Sequence, residues 1–174
     1  MMGISDPIWY RRSSHGQPAR PPWTTASPPR ILCSISEGSA AGVVESERLA
    51  RRYFTLFGQQ AFETLREVVH ADVVFELKAV QPGHVVRGRD EFIRFLEEEL
   101  RGHLWEAVPQ VFTPLDENRV IVEGRIRWSD DEHVLRDDSR FWALEFCDGL
   151  LIFSAPAGSM IEAESILAAR RTSP

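Results

Sequence analysis

Lysine is nearly missing from this chain. Of its 20 basic residues only Lys78 is a lysine, set against 26 acidic residues and a formal charge of -6. That balance leaves no clustered basic face of the kind nucleic acid requires, so no nucleic-acid partner is expected. The arginine bias reads as GC-rich coding rather than as a phosphate-binding device. Long hydrophobic runs are missing too. No stretch approaches the roughly 20 apolar residues of a membrane helix, and the N-terminus lacks the apolar core of a signal peptide. A cytoplasmic protein with no membrane partner is the expectation. Cysteine is limited to Cys33 and Cys147, neither in a C-x-x-C motif nor at metal-ligand spacing. A disulfide between them is possible, but nothing in the spacing asks for it, and a reducing compartment fits that usage best. The five histidines, at positions 15, 70, 84, 103 and 133, form no H-x-H or H-E-x-x-H pattern. The usual zinc motifs are therefore excluded, and neither a metal nor a cofactor is expected.

What is present divides in two. Residues 1–42 hold Pro18, Pro21, Pro22, Pro28 and Pro29, many serines and four arginines, with sparse aliphatics and no period. Such a segment buries too little apolar surface to offset its ordering entropy, and a disordered tail is expected there. Residues 43–174 read as one folded domain. Leu49, Tyr53, Leu56 and Phe57 share a face at helical spacing, and Gly58 ends that helix. A second helix over 61–69, a strand over 72–79, a loop over 80–88 and a third helix opened by Asp90 follow. From Leu104 the period becomes two. Leu104–Phe112 is a strand in which Pro109 marks an edge or a bulge. Arg119–Trp128 and Val134–Phe146 are long strands, and Asp148-Gly149 predicts a two-residue hairpin turn with positive φ at both positions. Leu150–Ser154 is the last strand, broken by Pro156, and a short terminal helix covers about 161–169. Helices followed by a strand meander mean α+β, with the N-terminal helices packed on the concave face of a cone-shaped, curved antiparallel sheet.

The segments Arg52-Tyr53, His70-Ala71-Asp72-Val73-Val74-Phe75-Glu76, Val86-Arg87-Gly88-Arg89-Asp90-Glu91-Phe92 and Phe141–Ile152 carry a resemblance. From about Val44 to Ile166 the chain resembles the nuclear transport factor 2-like superfamily, and within it the SnoaL-like and ketosteroid isomerase-like proteins. The resemblance implies a cone with a pocket. It does not dictate an activity, because this fold hosts isomerases, cyclases, dehydratases, hydrolases and non-enzymatic binding proteins.

The resemblance places Tyr53 where ketosteroid isomerase-like enzymes carry a tyrosine that donates to an oxyanion. It places Leu77 at the general-base position and Trp142 near the second acid, so two of the three roles lack an ionisable group. By analogy with the epoxide hydrolases of the superfamily, Asp138 and Arg140 are candidates for a polar pair that positions a water or clamps an anion. Dehydratases of the superfamily use pocket histidines, which makes His84 a candidate as well, with His103 behind it. Trp128, Trp142 and Phe146 are expected to wall an apolar pocket, with Trp105 and Phe153 as further aromatic candidates. The opposite sheet face, with Arg125, Arg127, Phe141, Ala143 and Glu145, suits a homodimer interface. Two functions follow. One is binding of a small, mostly apolar molecule, with cofactor-free acid–base catalysis by Tyr53, Asp138 and Arg140. The other is a non-enzymatic binding or assembly module with a cavity packed shut.

Overall fold

Apolar residues at three- and four-residue spacing wind the first helix and aim one stripe inward. In a computed structural model, which describes residues 40–77, 84–100, 105–129 and 135–172, that helix is α1 (Ala40–Gly58). It starts three residues before the expected domain boundary. Its inward stripe is Leu49, Ala50, Tyr53, Phe54 and Phe57, all buried. The remainder of the tail, with Cys33, lies outside the described residues, as do His103 and the side chain of Trp105. A short α2 (Phe62–Glu67) follows. Then come β1 (Val69–Glu76), β2 (Val85–Arg87) and α3 (Arg89–Leu100). Strand β2 lies in a stretch expected to be loop. Three residues pairing at the sheet margin are too few to give a readable alternation. Gly88, at φ +85°, makes the sharp entry into α3, and its N–H donates to the Val73 carbonyl at 2.8 Å. Positive φ is accessible to glycine without a Cβ clash.

Four long strands complete the sheet: β3 (Trp105–Pro114), β4 (Arg119–Ser129), β5 (Leu135–Cys147) and β6 (Leu150–Ala157). The order is β2-β1-β6-β5-β4-β3. All neighbours are antiparallel except β1 and β6, which run parallel. The sheet is thus mixed rather than wholly antiparallel, because the chain returns to β1's side only after the whole meander.

Pro109 realises both expected roles. It lies on the edge strand, and the β3–β4 register slips between Pro109 and Val111. Gly124 stands opposite this bulge. A Cβ there would collide with the Val108 carbonyl oxygen and come within 2.9 Å of the Pro109 Cα. The β5–β6 turn has φ of 51° at Asp148 and 77° at Gly149, the signature of a type I′ hairpin. Pro156 does not break β6, contrary to expectation. It pairs with Trp142 inside the strand. The β1–β6 ladder ends at Phe75–Ser154, so beyond Ser154 no strand on that side calls for the N–H that proline lacks.

Two apolar layers sandwich the sheet. On the concave side α1 and α3 pack Phe54, Phe57, Phe92 and Leu96 against Val120, Val122, Trp142, Leu144 and Phe146. Each such side chain contributes on the order of 2 kcal/mol through burial. On the convex side a terminal helix, α4 (Met160–Thr172), buries Ala163 and Leu167 against Ala143, Phe153, Ala155 and Ala157. Arg170 binds Glu145 at 2.6 Å and lies 4.0 Å above the Phe153 ring. This helix revises the expected dimer face, since Ala143 and Glu145 already contact their own chain. Phe153, offered as a pocket aromatic, belongs to this convex layer. Cys147 is buried and disulfide-bonded, where a reduced thiol was expected. Its partner lies outside the described residues. Among the described residues no helix is long and apolar enough to cross a membrane.

Candidate functional site

Strand alternation puts Arg140 and Trp142 of β5, and Ile126 and Trp128 of β4, on the concave face. Helix α1 crosses above them. Together these elements enclose a cavity of about 60 Å³, within a recess whose whole empty space, open mouth included, is about 670 Å³. Its walls are Tyr53, Phe54 and Phe57 from α1, Phe95 and Leu96 from α3, and Phe75 and Leu77 at the end of β1. Ile126, Trp128, Arg140, Trp142, Ser154 and Pro156 complete them from the sheet. The ring of Phe54 meets that of Trp142 edge-on at 5.1 Å, and Phe75 and Phe95 lie 5.7 Å apart.

Polar groups in this wall are few. Tyr53 is fully buried, and burial pushes its phenol far above the usual 10.0, while a hydrogen bond with the Ser154 hydroxyl draws it partly back. The phenol therefore stays neutral and able to donate. Arg140 is half-buried, and its Nε is enclosed with no hydrogen-bond acceptor. The indole Nε1 of Trp128 is likewise enclosed and unpartnered. Among the described residues no aspartate, glutamate or histidine lines the cavity. Nor does any group of three or more histidine, cysteine, aspartate or glutamate side chains come together there in a way that could hold a metal ion. Such a wall can donate hydrogen bonds to an oxygen and favour negative charge on it. Among its described side chains, none accepts a proton at neutral pH.

The sequence candidates separate accordingly. Tyr53, Arg140, Trp128 and Trp142 meet in the cavity wall. Phe146 shares their face but lies deeper, 2% exposed in the core and outside the lining. Asp138 shares the face too, opposite Ile126, but is exposed at the outer end of β5 and does not line the cavity. Its neighbour Asp137 points the other way and binds Arg125 at 2.6 Å. His84 is exposed at the rim. Its carbonyl accepts from the Leu77 N–H at 3.0 Å, and its ring rests 5.8 Å from that of Phe95. Leu77, where the resemblance calls for a base, forms part of the wall, and Glu76 lies on the other face of β1. Sequence reasoning missed Ser154. Its signal was a lone hydroxyl in the run Leu-Leu-Ile-Phe-Ser-Ala-Pro-Ala, where a buried polar group needs a partner.

A family model described as a SnoaL-like domain matches residues 50–152. No curated protein of related sequence is found. Among solved structures, a candidate polyketide cyclase from Xanthomonas campestris superposes with a TM-score of 0.60 at 18% identity, over 70% of this chain and 95% of that one. A candidate ketosteroid isomerase from Kribbella flavida gives 0.56 at 22% identity, over 65% and 76% of the two chains. A Mycobacterium tuberculosis protein in complex with estradiol-17β-hemisuccinate gives 0.57 at 8% identity, over 67% and 95%. At these identities the structures share the fold.

Proposed function

The chain belongs to the SnoaL-like domain family, and on that scaffold we propose that its cavity binds a small, mostly apolar molecule. One observation carries this reading. The cavity wall is apolar and aromatic apart from Tyr53, Ser154 and Arg140, the composition of a ligand site with a few orienting polar groups. The Mycobacterium tuberculosis neighbour, in complex with a steroid derivative, supports binding in this fold. A cavity of about 60 Å³ is smaller than the roughly 150 Å³ that admits benzene. Occupation by anything larger draws on the recess at the mouth and on movement of Phe95 or Arg140.

Tyr53, Arg140, Trp128 and Trp142 are the binding residues of this proposal. In any reaction the described wall would stabilise a developing oxyanion through Tyr53 and Arg140, with the proton removed by a group from elsewhere. Carboxylate-driven isomerisation finds no support in it, since the resemblance puts Leu77 at the base position and Trp142 near the second acid. Binding without turnover is the reading favoured. A homodimer would use the charged outer surface of β3–β5 left free by α4, where Arg127 meets Glu106 at 3.4 Å.

The test is calorimetry and thermal shift of the full chain against a panel of flat apolar molecules, beside Ile126→Phe, which fills cavity space. Saturable binding weakened at least tenfold by Ile126→Phe is expected. Absence of saturable binding, or binding indifferent to Ile126→Phe, overturns the proposal.

A further inference from the structure

Among the described residues, three buried side-chain polar atoms lack a hydrogen-bond partner: Arg89 Nε, Trp128 Nε1 and Arg140 Nε. Two of the three belong to residues that line the one cavity described above. Buried donors without acceptors are rare, because each costs the desolvation of its N–H group. Both are pure donors. An indole has one N–H and no acceptor, and a guanidinium has five N–H groups, no acceptor and a permanent charge. The remaining polar side chains of the wall, Tyr53 and Ser154, are hydrogen-bonded to one another. No carboxylate among the described lining residues neutralises Arg140.

A wall with unpartnered donors, an arginine that no described lining carboxylate neutralises and otherwise aromatic surface selects its occupant by chemistry. A cation is repelled, a purely apolar body leaves both donors unsatisfied, and an anionic oxygen satisfies them. The geometry points to a carboxylate on a flat apolar body as the occupant, its oxygens on the Arg140 guanidinium and, once the Trp128 ring turns its enclosed N–H toward it, on the indole, with its body against Phe54, Phe95 and Trp142. This rests on the reading of the cavity as a binding site and adds the ligand class. A guanidinium takes a carboxylate through two parallel N–H donors, so the charge also fixes the ligand's orientation.

The experiment compares 2-naphthylacetate, 2-naphthylacetamide and 2-naphthylethylammonium on the full chain by calorimetry, with Arg140→Met and Trp128→Phe as variants. The wild-type chain should bind the acetate at least tenfold more tightly than the amide, and the ammonium not measurably. Arg140→Met should abolish the preference for acetate over amide. Trp128→Phe, which keeps the ring and removes the N–H, should weaken the acetate severalfold more than the amide. Equal affinity of the wild-type chain for acetate and amide, or a preference that survives Arg140→Met, overturns the carboxylate assignment while leaving the binding site in place. Failure of all three compounds to bind overturns both. The wild-type comparison decides the matter even where a variant does not fold.

Discussion

The phenol of Tyr53 on α1 and the hydroxyl of Ser154 on β6 are hydrogen-bonded to each other inside the cone. This contact ties the first helix to the last strand at the cavity wall. Tyr53→Phe leaves the Ser154 hydroxyl buried without its partner and should cost about 1–2 kcal/mol in urea denaturation. The same substitution changes the alkaline limb. The unfolded chain ionises this phenol from its ordinary 10.0 upward, whereas burial keeps it neutral to higher pH in the folded chain. Its stabilising contribution is therefore complete below pH 10 and declines above it, by up to about 1.4 kcal/mol per pH unit. Wild-type stability should fall more steeply above pH 10 than that of Tyr53→Phe.

Asp116 contributes to the acid limb. Burial alone would raise its carboxyl, but hydrogen bonds from Arg119 and the Asn118 backbone N–H outweigh it and hold the group below its usual 3.8. The stabilisation is present above that value and is lost as pH falls through the depressed folded one. Acid denaturation of Asp116→Asn should show a shallower dependence on pH than the wild type. Arg119→Met removes one partner of a half-buried carboxylate, which keeps Arg171 at 3.2 Å, at a point where α1 also docks, since the Ser46 hydroxyl donates to the Asp116 carbonyl at 2.7 Å. A loss of about 1–2 kcal/mol is expected at neutral pH, read from the denaturation midpoint.

Gly124→Ala tests the bulge. With the Val108 carbonyl and the Pro109 backbone in the way of a Cβ, β3 must shift outward. Overpacking of this kind costs about 1–3 kcal/mol, and the melting temperature should fall accordingly. Disturbance of the β3–β4 amides in a hydrogen-exchange measurement would localise the effect.

Asp138→Asn should leave stability unchanged within about 0.5 kcal/mol, as for exposed residues without a partner. Ligand affinity should change less than twofold, whereas Arg140→Met loses the preference for a carboxylate. A tenfold loss from Asp138→Asn would return this carboxylate to the site.

Local pattern carried much of the fold. Leu49, Tyr53 and Phe57 announced α1, and Asp148-Gly149 announced the hairpin, because both depend on neighbours within a few residues. Parity along β5 correctly put Arg140, Trp142 and Phe146 on one face. Parity says nothing of depth, so Phe146 in the core and Asp138 in solvent were indistinguishable from the wall between them. Pro156 was read as a terminator because proline's cost in a strand depends on what lies beside it, and the end of the β1 ladder is not written locally. The docking of α4 and the parallel pairing of β1 with β6 are long-range for the same reason.

That parallel pairing has a consequence for how the chain assembles. Strand β1 ends at Glu76, and its sheet neighbour β6 begins only at Leu150. Loop closure over such a separation is entropically costly and slows folding. During synthesis the β1–β2 hairpin emerges early with only itself to pair, while the meander forms downstream from near neighbours. Leu77 and Phe75 can face Trp142 only when β6 has seated between the two halves. The cavity is therefore among the last features the chain acquires, and a chain shortened before Leu150 retains most of the meander without the cavity.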